Sequence, residues 1–324
     1  MRRSTMRGNR TGGGLPIAAL LALAVITTGG AQASARPGDV AGVAAPGCAP
    51  AVQVGGVRAT APVLDWAENL GYDARGNLWV ARILRGEVQR YDATGRLTAT
   101  VAVPAPGAVR LGPDGWMYVA SGVLPWNLVT PTLNGSVVRF DPDAESPVAQ
   151  PYATGLGMPN GLDFDAAGRL YIADSRLGVL RLLPGGAADS AWNAAAPKNL
   201  DLAKNVNGMT LNGAAILGSD LYVTVTSSPT ARVLRIPLDA PDRAEVAADL
   251  LFAGTALPDD LLAAGESLYV ATTLGQVIRL DPRTGATCTV LSGQPATALA
   301  SAPDAPHELV LATESGDLIR LDLR

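Results

Sequence analysis

A six-bladed β-propeller is the fold class this sequence predicts, on three observations. The first is a short run of residues that recurs six times: a small residue, alternating apolar positions, an arginine, an apolar residue, and usually Asp or Pro. The copies span 86–92, 135–141, 178–182, 231–237, 275–281 and 316–322, with Arg90, Arg139, Arg181, Arg235, Arg279 and Arg320 as the repeated cation. The third copy is one residue short. The second observation is a strand upstream of each copy with an aromatic at its second position: Trp79, Tyr118, Tyr171, Tyr222 and Tyr269, with Val310 in the sixth. The third is that no stretch after residue 35 shows convincing helical periodicity, while Gly, Asp and Pro turns recur between short β-branched runs. A strand-rich unit repeated every ~40–50 residues is the mark of a radial array of small sheets.

The elements follow in chain order. Residues 1–35 read as a secretory signal peptide. Arg2, Arg3, Arg7 and Arg10 precede an apolar run from Leu15 to Ile26, and Ala33-Ser34-Ala35 offers a cleavage site. That run is short for a membrane span. Residues 36–47, rich in Ala, Gly and Pro, read as a flexible leader. The propeller is expected to occupy 48–324. Only three strands remain for the last blade after residue 295, so its outer strand must come from residues 49–54, closing the ring. Cys48 would open that strand, and Cys288 lies in the outer strand of blade five. In an exported chain an even cysteine count invites a disulfide, with two separate thiols as the alternative. Without residues 1–35 the chain keeps 21 basic against 29 acidic residues. Such an acidic surface argues against nucleic acid and anionic membranes as partners. Once the signal is cleaved no stable membrane anchor remains. The chain is expected to act as a secreted monomer on a small-molecule substrate.

The repeat aligns the inner strands. Counting back from each aromatic gives Glu68, Gly107 and Asn160. A turn one residue shorter gives Asp259, a longer one Asn207, and blade six offers Thr297. The first residues of inner strands surround one mouth of the central channel. Glu68, Asn160, Asn207 and Asp259, with Asp260 beside the last, would form an oxygen cage suited to a hard divalent cation such as calcium. No cysteine or histidine cluster offers a zinc site. Two plainer readings stand beside this one. Asn160-Gly161 and Asn207-Gly208 have the form of hairpin turns, and a polar channel can be filled by water alone. The six arginines suggest an anion site, but their place in every blade points to a structural role.

The chain around Pro159-Asn160-Gly161-Leu-Asp-Phe-Asp, Pro258-Asp259 and Glu68 resembles the senescence marker protein/gluconolactonase/regucalcin family. It also resembles the related diisopropylfluorophosphatases, paraoxonases and strictosidine synthase-like proteins. The resemblance covers the chain after residue 35 as architecture but is specific at only about five positions. It implies a six-bladed propeller with a catalytic divalent cation, commonly calcium, that hydrolyses lactones, esters or organophosphates. By that resemblance Glu68, Asn160, Asn207, Asp259 and Asp260 are metal ligands. Asp259 doubles as base or nucleophile, with Glu68 as its catalytic partner. Cys48 and Cys288 resemble the ring-closing disulfide of paraoxonases. Gly107 departs from relatives that carry Asn or His there. The single histidine, His307, falls on the opposite face, so a histidine base is not expected. Substrate contacts are expected from mouth loops, with Trp126, Arg176, Ser227 and Thr273 as candidates and Arg82 and Asp174 beside them. A calcium-dependent lactonase or esterase is the leading function. Blade three also resembles an NHL-type repeat, so a non-catalytic interaction propeller is one alternative. A metal-containing cyclase or isomerase is another.

Overall fold

Short runs of β-branched and aromatic residues, each ended by a tight turn, leave the chain little but antiparallel hairpins to form. The computed structural model describes residues 48–251, 257–303 and 305–323. The signal and leader expected at 1–47 lie outside them. Six antiparallel sheets follow one another in sequence as the blades of a six-bladed β-propeller. Blade one consists of Ala67–Tyr72, Leu78–Arg82, Glu87–Tyr91 and Leu97–Ala102. The inner strands of blades two to six are Pro106–Leu111, Pro159–Phe164, Met209–Leu217, Pro258–Ala264 and Ala296–Ala302.

Ring closure follows the expected route. Val52–Val57 pairs antiparallel with Leu318–Asp322 and becomes the outer strand of blade six. A disulfide joins Cys48 to Cys288, with 5.9 Å between their Cα atoms. It ties the start of the closing strand to the outer strand of blade five, Thr287–Ser292.

Blade three differs from the expected four strands. It has three, and the helix Ser190–Ala195 runs where an outer strand is expected. The Asp189 side chain accepts the Trp192 backbone N–H and caps the helix, an N-cap that costs an alternative strand its advantage. Trp192 is buried edge-on against Tyr171, 5.4 Å between ring centroids. Trp192 thereby joins the apolar core between blades three and four.

The repeated arginines are structural. Five of the six stand opposite the second-strand aromatic of their own blade, Trp79 with Arg90, Tyr118 with Arg139, Tyr171 with Arg181, Tyr222 with Arg235 and Tyr269 with Arg279, and Arg320 stands opposite Val310. Three of these guanidiniums lie over aromatic rings, at 5.5 Å for Arg90 over Trp79, 4.8 Å for Arg139 over Trp116 and 5.0 Å for Arg181 over Trp192. Arg90 and Arg181 also reach across to the next blade, donating to the Pro142 and Leu238 carbonyls. Between blades the core is apolar, as where Trp79 meets Phe140 at 4.6 Å between centroids.

Candidate metal and catalytic site

Every inner strand is irregular at one end. The pairing with the second strand slips between Ala67 and Asn69, Pro106 and Val109, Pro159 and Gly161, Leu211 and Ala214, Pro258 and Leu261, and Ala296 and Ala298. These bulges free Glu68, Gly107, Asn160, Asn212, Asp259 and Thr297 from the ladder, and a bulge re-aims the side chain it carries. All six bulges sit at the same channel mouth.

The structure brings Glu68, Asn160 and Asp259 to this position as the sequence predicts, and it corrects blade four. Asn212, not Asn207, occupies the bulge. Its Nδ2 donates to Asp259 Oδ1 at 2.5 Å and to Thr226 Oγ1 at 3.0 Å. Asn207 lies before the strand and bonds to Thr230 and Ser228 on the rim. The cause is turn length. The blade-four hairpin closes with two residues, between Leu217 and Asp220, as the blade-five hairpin does between Ala264 and Ser267. Ten residues back from Tyr222 is Asn212, just as Asp259 is ten back from Tyr269.

Asp260, beside Asp259, turns to other partners. Its carboxylate accepts from Asn69 Nδ2 at 2.8 Å and pairs with Arg110 Nη2 at 3.1 Å. In this arrangement the Asp260 carboxylate serves as counter-ion to the partly buried Arg110 guanidinium. Arg110 also donates to Asn69 Oδ1 at 2.7 Å. Residues of blades one, two and five thus meet across the channel below the mouth. Asp163, partly buried nearby, accepts the Ile216 and Phe164 backbone N–H groups. Burial raises its pKa, and the Arg110 charge opposes that rise. The two remaining bulges are used for packing. A Cβ at Gly107 would collide with Val123, and the Thr297 hydroxyl donates to the Ala67 carbonyl, locking blade six to blade one.

The mouth is strained electrostatically. Burial raises Glu68 from its ordinary 4.5 to about 7; the Trp66 indole N–H, donating at 2.9 Å, opposes this, and Glu314 and Asp260 add to it. Asp259 is pushed well above its usual range by burial and then by the Glu68 and Asp260 charges, with the Asn212 hydrogen bond opposing. Such groups are relieved either by holding a proton or by a cation. Among the described residues no set of three or more His, Cys, Asp and Glu side chains converges as a metal site by itself. A cation here therefore needs amide oxygens and water. The site fits that need: the buried Asn160 amide makes no hydrogen bond to any described residue, and the Asn212 amide uses only its Nδ2. Glu314, at the end of the second strand of blade six, is a third carboxylate that sequence reading missed. Its backbone N–H binds the Pro295 carbonyl, its pKa is raised by burial, and its charge is felt at both Glu68 and Asp259.

The loops at the mouth form its rim. Trp126 is 57% exposed on a turn of 3-10 helix, Pro125–Leu128. Arg176 donates to the Asn127 and Thr132 carbonyls and holds that loop in place. Ser227 and Thr273 lie at the same mouth, beside Thr210 and Leu257 respectively. Arg82 and Asp174 are instead structural. Arg82 is buried on the Asp65 and Gly316 carbonyls. Asp174 is buried on four backbone N–H groups, those of Gly157, Met158, Arg176 and Leu177. Two cavities of about 300 and 330 Å³ lie elsewhere, one lined by Tyr72, Tyr91 and Arg320, the other by Tyr222, Arg235 and Arg283. Neither includes a mouth carboxylate, so the chemistry argues for the mouth.

No family model and no curated protein matches the chain. Solved structures do. A gluconolactonase from Xanthomonas campestris shares 16% identity at a TM-score of 0.60, covering 87% of this chain and 99% of that one. A calcium-binding regucalcin from Agrobacterium tumefaciens shares 18% at 0.58, covering 83% and 93%. A PQQ-bound aldose sugar dehydrogenase from Streptomyces coelicolor shares 18% at 0.57, covering 83% and 97%. The structural neighbours thus include the gluconolactonases and regucalcin that the sequence resembles, and what this chain shares with all three is the propeller fold.

Proposed function

We propose that this chain is an exported, divalent-cation-dependent hydrolase of lactones or esters, with calcium as the cation. The observation that carries the reading is the convergence at one mouth of two buried carboxylates whose pKa values are raised, beside an asparagine amide that has no hydrogen-bond partner among the described residues. Gluconolactonases and a calcium-binding regucalcin on the same fold support it. The Cys48–Cys288 disulfide suits the oxidising compartment that the leader sequence implies.

Glu68, Asn160, Asn212 and Asp259 are the residues that would hold the ion. A bound cation of this kind polarises an acyl carbonyl and stabilises the oxyanion that forms on attack. The rest falls to the chain. Asp259 accepts a proton from the attacking water, a task helped by a carboxylate whose proton affinity is raised toward the working pH. Asn212 fixes its orientation through the short Nδ2 contact. Trp66 orients Glu68 in the same way. Arg110 pairs with Asp260 and offsets part of the charge that Asp260 places beside the base. Trp126 and the rim loops would receive an apolar tail on the substrate.

The test is kinetic. With a panel of lactones and aryl esters, Asp259→Asn and Glu68→Gln should each lower kcat/KM by about a hundred-fold or more. Full turnover in both variants would remove the proposed site. If no member of the panel is turned over by the unaltered protein, the weight moves to a non-hydrolytic enzyme or a binding propeller, since the same fold carries a sugar dehydrogenase.

A further inference from the structure

The aromatic near the start of each second strand fills the seam between its own blade and the next. Trp79, Tyr118, Tyr171, Tyr222 and Tyr269 are buried in five separate apolar clusters, each joining two neighbouring blades. The sixth seam, between blades six and one, has Val310 at that position. Beside Val310 lies the cavity of about 300 Å³. Tyr72, Leu78 and Tyr91 of blade one wall it on one side, and Val310, Leu318 and Arg320 of blade six on the other. Close-packed interiors leave few voids larger than a water molecule. A space of this size at the seam that lacks its aromatic is a vacated ring position. The cavity between blades four and five has Tyr222 in its wall and is not one.

The wall says what fits. Val310 and Arg320 repeat the cross-strand pairing that puts Arg90 over Trp79, Arg139 over Tyr118 and Arg181 over Tyr171. Arg320 lies over no aromatic ring among the described residues, so a planar ring entering here would meet its guanidinium as the others do. Glu308 pairs with Arg320 at 2.8 Å, and Asp92 also lines the space. The wall therefore favours a neutral ligand over an anion. Tyr72 contributes a hydroxyl with no hydrogen-bond partner among the described residues. Ala93 and Thr94, also in the wall, are exposed, so the cavity reaches solvent. A largely apolar space of this volume with a polar group to fix orientation has the ordinary form of a small-molecule site.

We propose that the seam between blades six and one binds a small neutral phenol, in the space that a tyrosine side chain fills at four of the other seams. The phenol ring would stack beneath Arg320 against Val310 and Leu78, and its hydroxyl would pair with that of Tyr72. An occupant would tie the first blade to the last and stabilise the closed propeller. This goes beyond the hydrolase reading and stands apart from it. The cavity shares no residue with the mouth, and binding is read without turnover.

The experiment is calorimetric titration of the purified protein with p-cresol, the tyrosine side chain as a free molecule. Saturable one-to-one binding with a Kd of about 1 mM or tighter is expected for a ligand of this size. Val310→Tyr places that side chain in the cavity and should weaken p-cresol binding by about ten-fold or more. Tyr72→Phe should weaken it by about three-fold or more, as loss of one hydrogen bond does, while toluene, which has no hydroxyl, binds both proteins alike. Three results overturn the inference: no saturable binding to the unaltered protein, undiminished binding to a folded Val310→Tyr variant, or unchanged p-cresol affinity in Tyr72→Phe. Should Val310→Tyr fail to fold, the Tyr72→Phe comparison decides alone. None of these outcomes depends on whether the mouth hydrolyses a lactone or ester.

Discussion

Asp259 and Asp260 are neighbours in sequence with opposite fates. Asp259 accepts from the Asn212 amide at the mouth, where burial and the Glu68 charge raise its pKa, while Asp260 turns to a guanidinium. The difference comes from the bulge, which lets two consecutive residues both leave the ladder. Two predictions belong at this scale. First, Asn212→Ala should weaken calcium binding by about ten-fold or more, whereas Asn207→Ala should leave it unchanged, as calorimetric titration of both variants would show. Equal loss in the two would return the blade-four position to Asn207. Second, the metal-free protein should become less stable as pH rises. In the unfolded chain Glu68 releases its proton near 4.5, but in the folded chain it holds that proton to about 7. Between those values the folded state binds more protons, so stability falls with rising pH. In chelator, Tm should be lower at a pH of about 8 than at about 5, and Glu68→Gln should flatten the slope. A Tm that rises over this range would contradict the assigned burial of Glu68.

At the scale of the element, the blade register governs the site. Glu68, Asn160 and Asp259 were legible because a fixed count from a conspicuous aromatic lands on the bulge wherever the turn length is read correctly. Asn212 was missed only because Asn207-Gly208 has the same dipeptide form as Asn160-Gly161, and the two-residue turn at Gly218-Ser219 was read as longer. Arg110 and Glu314 were not legible. One sits three residues past its bulge and acts across the channel, and the other comes from a loop, so neither has a repeat position. The helix in blade three was hidden because six residues are too few to show periodicity. The close approach of inner strands supplies a further test. A Cβ on Gly161 would collide with the Asn212 backbone oxygen. Gly161→Ala should therefore cost about 1–3 kcal/mol in urea denaturation and weaken calcium binding together. Loss of neither would show that the two blades are not packed as tightly as described.

For the whole molecule, the ring and its closure were readable from repeat number alone, since six copies with three strands left for the last leave one source for the missing strand. The disulfide follows from that closure. Its 240-residue separation makes it a long-range clasp. Replacing Cys48 and Cys288 together with serine should lower stability by roughly 2–5 kcal/mol, read by denaturant unfolding. An unchanged midpoint would mean that the paired strands hold the ring without it. The fold itself leaves the reaction open, because a gluconolactonase and a sugar dehydrogenase share it with this chain. The most direct measurement is hydrolysis of a lactone and aryl-ester panel before chelation, after it, and with calcium restored. The account predicts turnover that disappears with chelator and returns with calcium. Turnover that survives complete removal of divalent cations would contradict it.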